Sequence, residues 1–252
     1  MTPTFPDLAG KSVFITGGGN GIGAVLTDAF LGQGPKVAFI GRSDASAFVH
    51  QMGAKHGNAP LFIQGDITDT EGLRAAIDQA ATAHGPVQVL VNNAAFDMRY
   101  DATEITPQIW DDMTAVNLKA YFFACQKVVE GMPDGGVIVN YSSISYMIGS
   151  TRLVPYTASN AGIMGMTRSL AREWGPRGIR INALAPGWVM TERQEREWAT
   201  PEALHAHLDT QALKTIIRPE DMVGGTLFLA SSASAMMTGQ VIAIDGGVSM
   251  LG

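Results

Sequence analysis

The sequence predicts an α/β protein with one doubly wound parallel sheet, folded as a single domain over residues 1–252. Three observations predict this fold. Short, continuously apolar runs recur along the chain, as expected for parallel strands covered on both faces. Stretches with the apolar spacing of helices lie between most of these runs. A glycine-rich turn joins the first strand to the first helix, and no repeat, low-complexity segment or linker divides the chain.

The first unit is a strand, a tight glycine turn and a helix. The apolar run 13–16 breaks into glycines, and helical spacing resumes at 24–31. Gly17 is expected to take the dihedral angles of the turn, Gly21 to let a pyrophosphate approach the backbone, and Gly23 to let the helix pack closely on the strand. The free N–H groups at the start of the helix would then hold phosphate.

The remaining strands and helices follow in alternation. Further strands are predicted at 37–40, 61–63, 87–91, 137–139, 179–181 and 241–244. Helices are predicted at 70–84, 107–131, 154–175 and 219–230. The stretch 188–212 departs from this pattern, because it mixes tryptophan, methionine and charged residues around a helix start at Thr200. We expect this stretch to form a mobile lid.

Composition and charge exclude several classes of partner. The net charge is −6 and the isoelectric point is near 5.3, which argues against nucleic acid and anionic membranes. The single cysteine, Cys125, excludes an internal disulfide and fits a reducing compartment. The sequence shows neither a signal-peptide pattern nor an apolar run long enough to cross a bilayer. A cytoplasmic location is therefore expected.

Polar residues or glycines follow nearly every predicted strand. They are Thr16-Gly17, Gly41-Arg42-Ser43, Asp66, Asn92-Asn93, Ser142-Ser143 and Pro186-Gly187. In an open parallel sheet, ligands bind outside the carboxyl ends of the strands. Any one of these groups is better explained as an ordinary polar loop, but the set of six predicts one long crevice for an extended small molecule.

Together these motifs resemble the short-chain dehydrogenase/reductase family. The segment 16–23 is similar to the family's TGxxxGxG turn. The other motif residues fall in the family's order and spacing: Asp66, Asn92-Asn93-Ala94-Ala95, Asn117, Ser143, Tyr156, Pro186-Gly187 and Asp245-Gly246-Gly247. The resemblance covers essentially the whole chain and implies a Rossmann-type fold, a nicotinamide cofactor and a homotetramer. Segments 93–99 and 193–195 look most like bacterial aldose (pentose) 1-dehydrogenases.

The end of the second strand bears on which nicotinamide dinucleotide is used. An acid in this region would hold the ribose 2′-hydroxyl of NAD, whereas an arginine accommodates the 2′-phosphate of NADP. The strand ends in Gly41-Arg42-Ser43, whose guanidinium and hydroxyl suit a phosphate. Asp44 follows closely enough to reach a hydroxyl instead. NADP is therefore favoured, with NAD as the alternative.

The resemblance also implies roles for individual residues. Tyr156 would be the catalytic acid or base, and Ser143 would polarise the reacting oxygen. Asp66 would meet the adenine and Asn92 would lie near the ribose. The full set expected to bind the cofactor is Gly17, Asn20, Gly21, Ile22, Gly23, Arg42, Ser43, Asp66, Ile67, Asn93, Tyr156, Asn160, Pro186, Gly187, Val189 and Thr191, of which Val189 and Thr191 would meet the nicotinamide amide.

One position departs from the family's YxxxK pattern. Asn160 stands one helical turn after Tyr156, where the family has lysine. Asparagine can still bond a ribose hydroxyl, but it carries no charge to lower the pKa of the tyrosine, which is ordinarily near ~10. Asn117, which the family uses to hold a water against that lysine, loses its partner. We therefore expect weak activity at neutral pH and a preference for alkaline conditions in oxidation. The alternative is a pseudoenzyme that binds cofactor without turnover.

The substrate is expected to be a sugar or related polyol. The residues expected to meet it are Asp97, Arg99, Ser145, Met147 and Trp188, with Phe96, Met98, Arg152 and Trp198 nearby. Such a mixture of aromatic faces and hydrogen-bonding groups suits a polyhydroxylated ring, although methionine and tryptophan serve equally often as core fillers. A small ketone or 3-oxoacyl compound is the alternative substrate.

No metal site is expected from the sequence. His205 and His207 would point to different faces of a surface helix, and no acidic or cysteine cluster lies with them. His50, His56 and His84 are expected in helices, where they would be solvated.

Overall fold

The computed structural model describes residues 3–250. Its strands are β1 (Ser12–Thr16), β2 (Lys36–Gly41), β3 (Leu61–Gln64), β4 (Val89–Asn92), β5 (Val137–Tyr141), β6 (Arg180–Pro186) and β7 (Val241–Ile244). Its helices are α1 (Gly21–Leu31), α2 (Ser46–His56), α3 (Thr70–His84), α4 (Pro107–Thr114), α5 (Ala120–Gly131), α6 (Ser145–Ile148), α7 (Val154–Trp174), α8 (Glu192–Glu197), α9 (Pro201–Thr210) and α10 (Asp221–Ala230).

The seven strands form one parallel sheet in the order β3-β2-β1-β4-β5-β6-β7. The chain winds outward in one direction from β1 to β3 and then crosses back to β4 on the other side of β1. At this crossing Thr16 pairs with Ile40 on one side and with Asn92 on the other. In sheets of this kind a crevice forms outside the carboxyl ends of the strands where the winding reverses, and ligands bind there.

Apolar side chains on the two faces of the sheet enter two separate layers of core. Val13 and Ile15 of β1 face the layer that contains Leu26 and Phe30 of α1. Phe14, between them, faces the layer under α3, α5 and α7. Because successive side chains of a strand point to opposite faces, a strand buried on both sides must be apolar throughout. The predicted doubly wound fold is therefore confirmed.

The helix predicted at 107–131 is interrupted. The structure has α4, then one π-helical segment over Ala115–Lys119, then α5. Within the π segment the buried amide of Asn117 donates to the carbonyl oxygens of Met113 (2.8 Å) and Phe96 (2.8 Å). A side chain that enters the backbone ladder in this way accounts for the wider turn, and such bulges concentrate at functional sites.

Several predicted boundaries also shift. The strand predicted at 179–181 continues to Pro186, and the strand predicted at 87–91 begins only at Val89. The predicted helix start at Thr200 is confirmed, since the Thr200 hydroxyl accepts a hydrogen bond from the Ala203 N–H (3.2 Å).

Two histidines are less solvated than expected. His56 Nε2 lies 2.6 Å from Asp28 Oδ1, so this side chain joins α2 to α1. His84 Nδ1 is buried, and burial lowers the pKa of its imidazole. His50 is exposed, as expected.

Among residues 3–250, no helix is both long enough and apolar enough to cross a membrane. The same residues contain no group of three or more His, Cys, Asp or Glu side chains placed to hold a metal ion.

Candidate active site

The glycine turn between β1 and α1 forms a cradle of backbone groups with the geometry that phosphate binding requires. Gly17 and Gly21 have φ angles of +71° and +50°, where other residues would be strained. A Cβ atom on Gly23 would overlap the Gly17 carbonyl oxygen, so the close helix–strand packing requires glycine there. The side chain of Asn20 makes no capping bond to α1. The first N–H groups of the helix thus keep their capacity to bind an anion.

Asn93 ties this turn to the neighbouring strand. Its Nδ2 donates to the carbonyl oxygens of Thr16 (3.1 Å) and Gly17 (3.3 Å). Its own N–H donates to the Thr16 hydroxyl (3.0 Å). Asn92, in contrast, is fully buried and bonds Asn140 beneath the sheet end, so its side chain supports the strands rather than lining the crevice.

The end of β2 presents a free cationic group. The Arg42 side chain is 71% exposed, with only a long 3.9 Å approach to Asp66. Asp44 is occupied, because its Oδ1 accepts hydrogen bonds from the Ser46 N–H (2.9 Å) and hydroxyl (2.6 Å) at the start of α2. Asp66 binds the N–H of Thr68 (2.9 Å), which closes the loop after β3. The adjacent Ile67 is buried, whereas Ser43 is exposed beside Arg42.

Tyr156 and Ser143 lie side by side beyond the carboxyl end of β5, within hydrogen-bonding reach of each other. Ser143 follows β5, and Tyr156 lies in the first turn of α7. The Ser143 hydroxyl accepts from the Ser145 N–H (3.1 Å), which leaves its proton available. The hydroxyl of the adjacent Ser142 is buried and donates to the Asn160 carbonyl oxygen (3.1 Å). Ser143 is therefore the serine whose hydroxyl can serve a reacting oxygen.

The environment of Tyr156 disfavours its ionised form. Burial of the phenol and the negative charge of Asp97 raise the pKa of Tyr156 to about 12. Hydrogen bonding by Ser143 and Asn160, and the positive charge of Arg193, act in the opposite direction without overcoming burial. The phenol is thus well suited to donate a proton and poorly suited to accept one at neutral pH.

Asn160 does not take up the role of a charged residue. Its side chain is 2% exposed, and its Nδ2 donates to the Tyr156 backbone carbonyl oxygen (2.9 Å), one turn back along α7. Asn117 is also fully engaged, since its Oδ1 accepts from the Phe96 N–H (2.9 Å) in addition to the two bonds that its amide donates. Both amides hold backbone beside the crevice.

The segment after β6 connects the glycine turn to the lid. The carbonyl oxygen of Pro186 accepts from the Ile144 N–H (3.1 Å), and a Cβ atom on Gly187 would crowd Asp245. Val189 is buried and pairs with Ile217. A Cβ atom added to Gly21 would lie 3.4 Å from the Thr191 methyl group, so Thr191 lies directly over the glycine turn.

The segment 188–212, the lid segment, which the sequence predicts to form a lid, is held to the loop after β4 by polar contacts. Asp97 pairs with Arg193 Nη1 (2.8 Å) and accepts from Gln194 Nε2 (2.8 Å). Gln194 in turn accepts from the Trp188 indole N–H (2.8 Å). Trp188 packs edge-on against His207, with ring centroids 5.2 Å apart. These contacts close one side of the crevice beside Tyr156.

The expected substrate residues differ in how far they are already engaged within the protein. Asp97 accepts a hydrogen bond from Gln194, and the Trp188 indole donates one to Gln194. The hydroxyl of Ser145, in contrast, is buried and has no hydrogen-bond partner within the described chain. Met147 is half-buried in α6, the turn that follows Ser143. Arg99 stacks on Trp198, with its guanidinium carbon 4.3 Å from the ring centroid.

The sequence did not predict contributions from three residues: Arg193, Gln194 and His207. The sequence indicates Arg193 and Gln194 only through the resemblance of segment 193–195 to aldose 1-dehydrogenases. Nothing in their spacing reveals that their partner, Asp97, lies about a hundred positions away. His207 was expected on a surface helix, but it is half-buried against Trp188, and burial lowers the pKa of its imidazole. His205, two residues earlier, is exposed, so the two histidines do face different ways.

Taken together, the glycine turn, the exposed Arg42 and the Ser143–Tyr156 pair form the arrangement that a dinucleotide-binding oxidoreductase requires. A family model described as enoyl-(acyl carrier protein) reductase matches residues 17–249. The chain is 46% identical over 248 residues to a probable galactose dehydrogenase of Rhizobium meliloti, covering 97% of each protein. It is 41% identical over 247 residues to a D-xylose 1-dehydrogenase of Caulobacter vibrioides, covering 96% of this chain and 97% of that protein.

A solved structure shows the same fold. The crystal structure of a blue fluorescent protein from a metagenomic library in complex with NADPH superposes with a TM-score of 0.90 at 34% identity, covering 97% of this chain and 100% of that chain. The chain belongs to the short-chain dehydrogenase/reductase family. It is an oxidoreductase that uses a nicotinamide cofactor, as the resemblance implied.

Proposed function

We propose that this protein oxidises a hydroxyl group of a sugar or polyol with NADP as the preferred cofactor. The observation that carries the proposal is the Ser143–Tyr156 pair, set beside a lid segment with two tryptophans and several hydrogen-bonding side chains. The identities of 46% and 41% to a galactose and a xylose dehydrogenase support the same substrate class. Oxidation at the anomeric carbon of an aldose would give a lactone.

The residues of the cradle fit the cofactor. The α1 amides and Gly21 would hold its pyrophosphate, Arg42 and Ser43 a 2′-phosphate, and the segment 186–191 its nicotinamide end. The engagement of Asp44 by Ser46 supports NADP over NAD, because the acid that follows β2 in the chain is turned to its own helix. The bound cofactor supplies the two-electron redox chemistry as a hydride carrier.

The protein's own residues manage the proton and the orientation of the substrate. Ser143 would donate a hydrogen bond to the reacting oxygen and hold it against the phenol. In oxidation, the Tyr156 phenolate would remove the proton from the substrate hydroxyl, and in reduction the phenol would return it. Because the pKa of Tyr156 is raised to about 12, oxidation would be favoured by alkaline conditions.

Turnover with a panel of aldoses and polyols tests this proposal. NADP⁺ reduction is followed at neutral and alkaline pH for the parent protein and Tyr156→Phe. We expect turnover of at least one sugar in the parent and its loss in the variant, whose cofactor affinity should be retained. Efficient reduction of 3-oxoacyl or small ketone substrates, with no sugar oxidised, would favour the alternative substrate class instead.

A second candidate is a protein that binds the cofactor without turnover. Asn160 favours it, because the uncharged amide brings no positive charge to offset the burial and the Asp97 charge that raise the pKa of Tyr156. Tight NADPH binding with no activity toward any substrate at any pH would establish this candidate.

Three further features belong to the proposal. We infer that the lid over 188–212 moves to admit substrate, that the location is cytoplasmic, and that the protein is a homotetramer like the family it belongs to. Exposed Phe122 on α5 and half-buried Trp174 on α7 line one surface groove, which would support an interface between copies. Light scattering coupled to size-exclusion chromatography measures the oligomeric state.

A further inference from the structure

Arg99 is a half-buried cation without an acidic partner. Its guanidinium lies over the Trp198 ring at 4.3 Å, which fixes it at the inner side of the lid segment. No carboxylate among residues 3–250 lies within ion-pair distance of it. Asp97, whose negative charge acts on the Arg99 guanidinium, is itself bonded to Arg193 and Gln194. A half-buried charge without a counterion is destabilising, so a ligand group is the natural partner.

A second arginine stands beside the first. The Tyr100 N–H donates to the carbonyl oxygen of Arg152 (2.9 Å), which joins the loop after β4 to the turn before α7. The positive charge of Arg152 acts on Arg99 and on the exposed carboxylate of Asp101, but no carboxylate among residues 3–250 lies within ion-pair distance of Arg152. Arg152 is also the only non-glycine residue described with a positive φ, at +62°. Strain of this kind persists where the local structure requires a particular side-chain position.

The same wall of the crevice offers another unused donor. The Trp198 Nε1 is buried and has no hydrogen-bond partner within residues 3–250. An indole N–H can only donate, and a guanidinium can only donate. The group that complements this set must therefore be rich in acceptors and negatively charged.

Arg99 and Arg152 lie close along the chain to residues of the proposed reaction centre. Arg99 lies two residues after Asp97, whose charge is felt by Tyr156, and Arg152 lies four residues before Tyr156. The lid segment that carries Trp198 also carries Arg193, which closes onto Asp97. A substrate with its reacting hydroxyl at Tyr156 could therefore extend its far end to the arginines.

We propose that Arg99 and Arg152 bind an anionic group, a carboxylate or a phosphate, at the end of the substrate remote from the reacting hydroxyl. This inference rests on the proposed function and narrows its substrate class to acidic or phosphorylated sugars. The planar guanidinium of Arg99 suits two-point binding of either oxyanion, while Arg152 adds charge at the solvent side.

Three sugars with the same ring test this assignment: D-galactose, D-galacturonate and D-galactose 6-phosphate. They differ at C6, which is neutral, carboxylate or phosphate. Binding to the NADPH-saturated protein is measured by calorimetry, and kcat and KM are measured wherever turnover occurs. We expect at least one anionic sugar to bind tenfold or more tightly than galactose, and this advantage to decrease with added salt. The more tightly bound anion identifies whether carboxylate or phosphate is the natural group.

Variants assign the effect to the arginines. Arg99→Gln should remove most of the preference for the anion by raising its KM, with little change in kcat. Arg99→Lys should retain part of it, and Arg152→Gln should weaken it. Arg196→Gln is the matched control, because this arginine lies on the lid helix α8 but is 69% exposed and paired with Glu197 (3.0 Å).

Each outcome decides the inference. Equal affinity for the three sugars, or an equal loss for neutral and anionic sugars in Arg99→Gln, would overturn it while leaving sugar oxidation in place. Anion binding that depends on Arg99 without turnover of any sugar would uphold the anion site and overturn the proposed activity.

Discussion

Replacing Asn160 by lysine should raise the rate of oxidation at neutral pH. Asn160 is 2% exposed and lies one helical turn from Tyr156, so the new ammonium would stand close to the phenol in a poorly solvated position. An opposite charge within about 4–6 Å lowers the pKa of an acid by about 1–3 units, and each unit corresponds to about 1.4 kcal/mol. Asn160→Lys should therefore lower the pKa of Tyr156 from about 12 by that amount.

The gain in rate follows from the fraction of phenolate. At pH 7, with a pKa of about 12, only about one phenol in 10⁵ is ionised. Oxidation should then rise about tenfold for each pH unit until the pKa is reached. The oxidation rate of Asn160→Lys should rise with pH at the same slope but reach each value about 1–3 pH units lower. At pH 7 the variant should therefore oxidise substrate about 10- to 1000-fold faster than the parent.

The assay is kcat/KM for sugar oxidation between about pH 6 and about pH 11, followed by absorbance of the reduced cofactor. Asn160→Gln is the matched control, since it lengthens the side chain without adding charge, and its profile should stay with the parent. A spectroscopic titration of the phenol, taken as the difference from Tyr156→Phe, measures the pKa without turnover. Identical profiles for Asn160→Lys and Asn160→Gln would refute the assignment of weak activity to the missing charge.

Three other substitutions have defined outcomes. Arg42→Gln should weaken NADP⁺ binding by about 1.5–3 kcal/mol, because a charge-assisted phosphate contact is lost, and leave NAD⁺ unchanged; equal effects on both KM values would contradict the role of Arg42. Asp97→Asn should move the alkaline limb of the pH–rate profile for oxidation to lower pH, since the Asp97 charge raises the pKa of Tyr156. An alkaline limb at the same pH as in the parent, or at higher pH, would contradict this effect of Asp97. Gly23→Ala should lower the free energy of unfolding by about 1–3 kcal/mol or more in chemical denaturation, because its Cβ would overlap the Gly17 carbonyl oxygen, and an unchanged midpoint would exclude that contact.

The fold was predictable because its causes are local. A strand buried on both faces must be continuously apolar, and a helix that covers it must repeat every three to four residues. The turn after β1 was also predictable, since Gly17 needs its positive φ and Gly23 its lack of a side chain whatever lies elsewhere in the chain. The interruption of the predicted helix 107–131 was not, because Asn117 bonds the backbone of Phe96, which belongs to another loop.

The sequence by itself determined the sheet, the glycine turn, the positions of Ser143 and Tyr156 and the missing charge at 160. Only the tertiary structure decided how far these side chains are buried and which charges lie near them. The pKa of Tyr156 depends on burial and on Asp97, and the pairing of Asp97 with Arg193 joins segments 96 positions apart. Hydrogen bonds and charges act over a few ångströms of space rather than along the chain, so the protonation state of the Tyr156 phenol is a property of the folded molecule.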